Sequence, residues 1–160
     1  MPQGSGEQTL GFVIHDVARL LRRRFEQRAK AQDLGLTRAQ CAVLARLSRQ
    51  QGSSQVALAQ ILDIEPITLV PILDRLEAAG LISRKPDPRD RRANILELTE
   101  AARPALARIL RVAQDVFAEA QAGIAPAEAQ RLLELLDQIK DNLSNQTEDV
   151  SVRPAAVGRR

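Results

Sequence analysis

Residues 81–98 read LISRKPDPRDRRANILEL, and this stretch decides the fold. In its two ends, residues 81–85 and 94–98, the apolar residues no longer follow the helical spacing of the preceding chain. Both ends are typical of short strands. Residues 86–92 between these ends are two prolines and five charged residues, so the segment is too polar to bury. The stretch therefore predicts a β-hairpin whose charged tip projects into solvent.

Three helices precede this hairpin. Apolar residues at helical spacing indicate one helix after Thr37, whose hydroxyl fits an N-cap, and a short one in which Val56 faces inward. Pro66 suits the first turn of a third helix, which runs to about residue 79, and Gly80 suits its left-handed end. Three short helices followed by a hairpin are the plan of a winged helix-turn-helix.

Further apolar stripes lie outside this unit. One helix is predicted from Leu10 to about residue 31, a long one after Thr99 as its N-cap, and a last one from Pro126. A winged helix of about 60 residues cannot cover these stripes, so another surface must bury them. A two-fold dimer is the simplest solution, and packing of the stripes within one chain is the alternative.

The predicted fold class is mainly α with a small β-hairpin: a winged helix-turn-helix plus N- and C-terminal dimerisation helices. The winged helix-turn-helix is expected at residues 35–98, and the dimerisation helices at residues 9–34 and 99–145. Residues 1–8 and 146–160 are predicted to be disordered tails, because the chain becomes polar and irregular from Ser144 onward.

Composition excludes several classes of protein. A single Cys cannot make an intrachain disulfide, and one Cys with one His cannot supply a four-ligand zinc site unless carboxylates or a second chain contribute. Without Trp or Tyr, the chain also lacks a platform for stacking single-stranded bases. The sequence has no Gly-rich phosphate loop and no nucleophile set around its His, so we expect no enzyme, no metal and no cofactor. It also lacks a membrane span and a signal-peptide layout, so the expected location is the cytoplasm, with no membrane partner.

The net charge of +3 hides an asymmetry along the chain. Residues 1–96 carry 15 Lys and Arg against 10 Asp and Glu, whereas residues 97–149 carry 5 against 10. The basic part indicates a polyanionic partner, although basic faces that only contact water are common.

The cations of the basic part concentrate in the hairpin. They are Arg84, Lys85, Arg89, Arg91 and Arg92, against the acids Asp87 and Asp90. The planar guanidinium of Arg suits phosphates and a narrow minor groove. Because a carboxylate would repel phosphate, we hypothesise that Asp90 orients one of the arginines through a bidentate contact. A solvated hairpin with scattered charges is the alternative.

Several runs resemble the MarR family of bacterial transcription regulators, most nearly its SlyA branch. They are DRLEAAGLISR at residues 74–84, DPRDRRA at residues 87–93 and LELT at residues 96–99. The resemblance spans about residues 9–143. It implies an obligate homodimer with interlocked terminal helices, and one winged helix per protomer on half of a pseudo-palindromic operator in double-stranded DNA. For many members it also implies release of a repressor by a small aromatic acid or phenolic effector, bound between the dimerisation and DNA-binding parts.

The third helix of the winged helix-turn-helix is the candidate recognition helix. Its candidate DNA contacts are Ile67, Thr68, Pro71, Asp74 and Arg75, with Ile67 suited to thymine methyl groups. Leu69, Leu73 and Leu76 are expected in the core. Pro71 stands where relatives commonly carry a basic residue. Because proline removes an intrahelical hydrogen bond, we expect the helix to kink there or to begin later.

Two features of the helical parts leave alternatives open. His15 and Arg19, one turn apart on the first helix, are the candidate ligand pocket, although a histidine at a dimer interface is favoured over a ligand contact. Cys41 lies in an apolar helical run, which favours a packed core thiol over a redox sensor. The rival function is a winged-helix protein-interaction module, such as an antirepressor, whose wing would be neutral rather than cationic.

Overall fold

The computed structural model describes residues 9–90 and 93–150, with the side chains of residues 145–150 excepted. The helices are α1 (Leu10–Ala31), α2 (Arg38–Arg49), α3 (Gln55–Leu62), α4 (Pro66–Ala78), α5 (Arg103–Ala120) and α6 (Pro126–Val150). The strands are β1 (Ser53–Ser54), β2 (Ile82–Pro86) and β3 (Asn94–Leu98). The predicted fold class, mainly α with a small hairpin in a winged helix, is confirmed.

Helix ends follow local chemistry where the sequence predicts them. The Gln40 amide donates to the Thr37 hydroxyl at 3.2 Å, and the Thr37 amide donates back to the Gln40 side chain at 2.8 Å, which makes a capping box at the start of α2. α4 begins at Pro66. It closes beyond Ala78, where Gly80 has a φ of +71° and the Leu81 amide donates to the Leu76 carbonyl at 2.9 Å.

The sheet has three antiparallel strands in the order β1-β3-β2. Ile82 pairs with Leu98 in the expected hairpin, whereas the pairing of Ser53 with Leu96 adds a strand that the sequence does not predict. Ser54 also accepts a hydrogen bond from the Ala57 amide at 3.2 Å and so caps α3. The segment between α2 and α3 therefore anchors the hairpin to the helices.

Three expectations are wrong in detail. Thr99 occupies the N-cap position of a 3-10 turn, Glu100–Ala102, that leads into α5, and not that of α5 itself. Its hydroxyl makes no capping bond and donates instead to the Gly80 carbonyl at 2.6 Å. Val56 is 58% exposed. The chain is still helical at residues 144–150, because this polar segment contains neither Gly nor Pro and α6 continues to Val150. The rest of the predicted tails, residues 1–8 and 151–160, lies outside the described residues.

One hydrophobic core holds the winged helix together. Leucines from α2, α3, α4 and β3 are fully buried in it: Leu44, Leu47, Leu58, Leu69, Leu73, Leu76 and Leu96. Ile109 and Val112 of α5 belong to the same core. The chain divides into two compact units at residue 120, so that α5 lies in the same unit as the winged helix and α6 in the second.

Among the described residues, no single helix is long and apolar enough to cross a membrane, and only α3 and α4, taken as a pair bent by 111°, meet the length and composition required.

Candidate nucleic-acid interface

α4 presents one face to the core and the other to solvent. Leu69, Leu73 and Leu76 are fully buried, as predicted, and they fix the rotation of the helix. The exposed residues of α4, apart from its terminal residues Pro66 and Ala78, are called the α4 face below: Ile67, Thr68, Val70, Pro71, Asp74 and Arg75. All five residues predicted to contact DNA belong to this face.

Pro71 does not delay the start of α4. The helix begins at Pro66 and includes Pro71, so a later start is wrong. The hydrogen bond that Pro71 cannot make is the one to the carbonyl of Ile67, a residue that is 82% exposed. Water can satisfy that carbonyl, while the buried leucines hold the helix in place.

The base of the hairpin is tied to α4 by ion pairs. Arg84 on β2 contacts the Asp74 carboxylate at 2.7 Å and also pairs with Glu77, which in addition accepts the Arg84 backbone amide at 3.2 Å. Lys85 pairs with Glu97 on β3. Two of the predicted DNA contacts of the hairpin are therefore neutralised within the chain, and Asp74 acts as a partner of Arg84.

The tip of the hairpin is closed by backbone hydrogen bonds. The Asp87 carboxylate accepts the Arg89 amide at 2.8 Å, the Asp87 amide donates to Ala93 at 2.9 Å, and the Ala93 amide donates to the Asp90 carbonyl at 3.0 Å. Asp87 thus builds the turn, and the Arg89 side chain is exposed at its edge. Arg91 and Arg92, and with them the hypothesised orienting contact of Asp90, lie outside the described residues.

A cavity of about 470 Å³ lies between α1 and α5 on one side and α2 and α3 on the other. Leu21, Phe25, Ile109 and Phe117 are among the apolar residues of its lining. Four arginines also line it: Arg22, Arg38, Arg46 and Arg49. The cavity therefore combines an apolar wall with positive charge, a combination that suits a small amphipathic anion.

The arginines of this cavity differ in their partners. Arg38 pairs with Glu26 at 2.7 Å. Within the part of the chain that the structure describes, the Nε group of Arg46 is buried and has no hydrogen-bond acceptor. A buried donor without a partner is costly, so this part of the cavity wall carries an unsatisfied polar group.

His15 and Arg19 do not line this cavity. Both are exposed on α1, and Arg19 pairs with Asp16 at 3.1 Å. The structure thus brings the predicted ligand residues together on a helix surface but not into the cavity. The sequence does show that Arg38, Arg46 and Arg49 share one face of α2, because they lie at helical spacing. It does not show which other helices this face contacts, so the cavity could not be predicted from it.

Cys41 also lines the cavity, and it is a packed core residue, as favoured from the sequence. Its side chain is 2% exposed, and burial raises the pKa of its thiol to about 11. The thiol is therefore protonated at neutral pH and is a poor nucleophile.

Ion pairs also join α1 to α5. Arg24 and Arg28 contact the two carboxylate oxygens of Glu119 at 2.6 and 2.7 Å. Hydrogen bonds from Arg24 and Arg28 hold the pKa of Glu119 down at about 2. Arg108 of α5 donates to the backbone carbonyls of Gln32 and Asp33, at the end of α1, so the two helices are connected at two separate points.

Comparison with known proteins agrees with this architecture. Residues 36–93 match the model of the MarR family. A solved transcriptional regulator, PA3341, is 32% identical and has a TM-score of 0.73, with 84% of this chain and 98% of that one covered. A MarR-family transcriptional regulator from Silicibacter pomeroyi is 26% identical with a TM-score of 0.73, and 93% of each chain is covered.

A third solved structure is that of the transcriptional repressor CouR bound to a 23-mer DNA duplex. It is 29% identical with a TM-score of 0.70, and 88% of this chain and 99% of that chain are covered. Taken with the six helices and the antiparallel wing, these matches show that the chain belongs to the MarR family of transcription regulators.

Proposed function

We propose that this protein is a homodimeric transcriptional repressor of the SlyA type, which binds pseudo-palindromic double-stranded DNA in the cytoplasm. The observation that carries this proposal is the pairing of the exposed α4 face with a cationic hairpin, joined through Arg84, Asp74 and Glu77. A helix beside such a hairpin fits a major groove and the phosphates next to it. The DNA-bound structure of CouR, a repressor of similar fold, supports this reading.

The uncovered apolar faces support a homodimer. In the first half of α1, the large apolar residues Leu10, Phe12, Val13, Ile14, Val17 and Leu20 are between 40% and 69% exposed. In α6, Leu132, Leu133, Leu136 and Leu143 are also exposed. A second copy of the chain would cover both stripes, because a two-fold axis presents the same faces twice. In this proposal residues 9–34 and 99–145 form the dimer, and residues 35–98 read the DNA.

We place the effector, a small aromatic acid or phenol, in the cavity lined by Arg46 and Phe117. Its apolar wall suits a ring, and the arginines of its lining, Arg46 among them, suit a carboxylate. Benzoate and phenol are suitable probes of release from DNA. Arg46→Met is expected to weaken release by benzoate, whereas Arg111→Met, an exposed change on α5 outside the lining, is expected to leave it unaltered.

The same release experiment, carried out with His15→Ala and Arg19→Ala, tests the prediction that His15 and Arg19 bind the effector. Loss of benzoate release in His15→Ala and Arg19→Ala, with normal release in Arg46→Met, would place the effector on α1 and contradict the cavity.

Footprinting tests the proposed function as a whole. Genomic fragments recovered with the purified protein should show two protected half-sites whose centres lie one helical turn, about 10 bp, apart. A single asymmetric half-site would contradict the homodimer, and failure to enrich any DNA fragment would favour the protein-interaction module.

A further inference from the structure

The α4 face is poor in groups that donate hydrogen bonds. Among its six exposed side chains, only the Thr68 hydroxyl and the Arg75 guanidinium are donors. The Asp74 carboxylate is already bound by Arg84 at 2.7 Å. Bidentate hydrogen bonds to purine edges come from Arg, Lys, Asn or Gln side chains, and this face supplies one of them, Arg75.

The same face carries a ridge of apolar side chains. Ile67, Val70 and Pro71 lie at positions i, i+3 and i+4, so they are neighbours on one side of the helix. Ile67 is 82% exposed and Val70 is 38% exposed, because the leucines on the opposite side occupy the core. Because these three side chains are contiguous, they form an apolar patch of the kind that is typical of a binding surface.

The charges around the ridge indicate what covers it. Arg75 lies on the same helix, and the exposed Arg89 lies on the hairpin that Arg84 fixes to α4. Cations beside an apolar ridge fit a DNA groove, where phosphates flank the bases. The apolar group that the major groove offers is the C5 methyl group of thymine.

We propose that the α4 face reads thymine through its methyl groups, with Ile67 as the main specificity-determining residue and Val70 and Pro71 beside it. This inference rests on the proposed DNA-binding function and adds the chemistry of the readout. The operator half-sites then contain thymines at the positions that face α4, and removal of one methyl group weakens binding about fourfold per half-site, the worth of burying one such group.

Deoxyuridine provides the test, because it lacks only this methyl group and keeps the base-pairing edge of thymine. The probe is the duplex that the purified protein enriches most strongly from a randomised library, resynthesised with deoxyuridine at one thymine position of each half-site at a time. At one or two of these positions, deoxyuridine should lower the affinity of the wild-type protein for the duplex about fourfold per half-site. Ile67→Ala should bind the unmodified duplex with an affinity lowered by a similar factor. Replacing thymine with deoxyuridine at those positions should not lower the affinity of this variant further.

Val56→Ala is the matched control. Val56 is also a large exposed apolar residue, 58% exposed, but it lies on α3, so this variant should keep the full response to deoxyuridine. Ile67 is exposed enough that Ile67→Ala should fold normally, and Ile67→Val should retain part of the response.

Each other outcome overturns the inference in a distinguishable way. Equal binding of thymine and deoxyuridine duplexes by the wild-type protein refutes methyl readout and leaves the proposed function standing. An equal response to deoxyuridine in wild type and Ile67→Ala refutes the role of Ile67. If no duplex is enriched at all, the proposed function fails, and the inference fails with it.

Discussion

The base and the tip of the β2–β3 hairpin carry similar charges and are built for different tasks. At the base, Arg84 and Lys85 are each paired with carboxylates of the same chain. At the tip, the Asp87 carboxylate binds a backbone amide, and the Arg89 side chain remains exposed. The difference teaches that cations of one cluster are not equivalent. Arg84 holds the hairpin on α4 and Lys85 joins β2 to β3, whereas the exposed Arg89 at the tip is available to the polyanion of our proposal.

The largest effect is expected at the tip. Arg91→Ala and Arg92→Ala should each weaken binding to operator DNA by about tenfold or more, because each removes a charge-assisted contact to DNA. Gel-shift titration measures the affinity, and sedimentation should show an unchanged dimer. Near-native binding of operator DNA by both variants would show that the tip does not contact DNA, and it would contradict the distinction between base and tip.

Arg84 at the base should act on stability instead. Arg84→Met leaves Asp74 and Glu77 without their shared partner, and the free energy of unfolding should fall by about 1 kcal/mol, because both carboxylates are partly solvated. Arg89→Ala, the control at the tip, should change it by less than about 0.5 kcal/mol. Urea unfolding followed by circular dichroism measures both, and equal stability of the two variants would contradict the assignment of base and tip.

A matched pair of changes sharpens the comparison through salt dependence. Arg89→Ala should reduce the slope of log affinity against log salt by about one unit, since one phosphate contact is lost. The double variant Lys85→Met with Glu97→Gln removes an ion pair without changing the net charge, and its slope should stay at the wild-type value. If the double variant lowers the slope as much as Arg89→Ala does, Lys85 contacts phosphate in the complex.

The smallest effect concerns a paired cluster away from DNA, at Glu119. Its folded-state pKa of about 2 lies below the ordinary value of 4.5, so its ion pairs with Arg24 and Arg28 stabilise the fold above pH 4.5. That contribution is lost as the pH falls from 4.5 through about 2. Glu119→Gln should therefore be slightly less stable than wild type at pH 7, and the difference should narrow in acid unfolding titrations. A constant difference would contradict the ion-pair origin.

The sequence predicts well what depends on neighbours along the chain. Thr37, Pro66 and Gly80 end or begin helices as expected, because capping needs only residues three or four positions away. β1 is missed because its two residues become a strand only through Ser53 pairing with Leu96, far along the chain.

The candidate sites show the same division. Exposure of Ile67 and burial of Leu69 follow from helical spacing alone. The sequence does not reveal that Arg84 would be engaged by Asp74 and Glu77, because that depends on how the hairpin folds back onto α4. The arginine-lined cavity is formed by four helices and is likewise invisible until they pack.

Salt dependence of operator binding tests the central claim most directly. If each protomer neutralises three or four phosphates, log affinity for the selected duplex should fall with log salt at a slope of about −6. Titrations of the wild-type protein from low to physiological salt measure this slope. A slope near zero would contradict the account, because it would mean that the exposed cations beside α4 do not contact DNA.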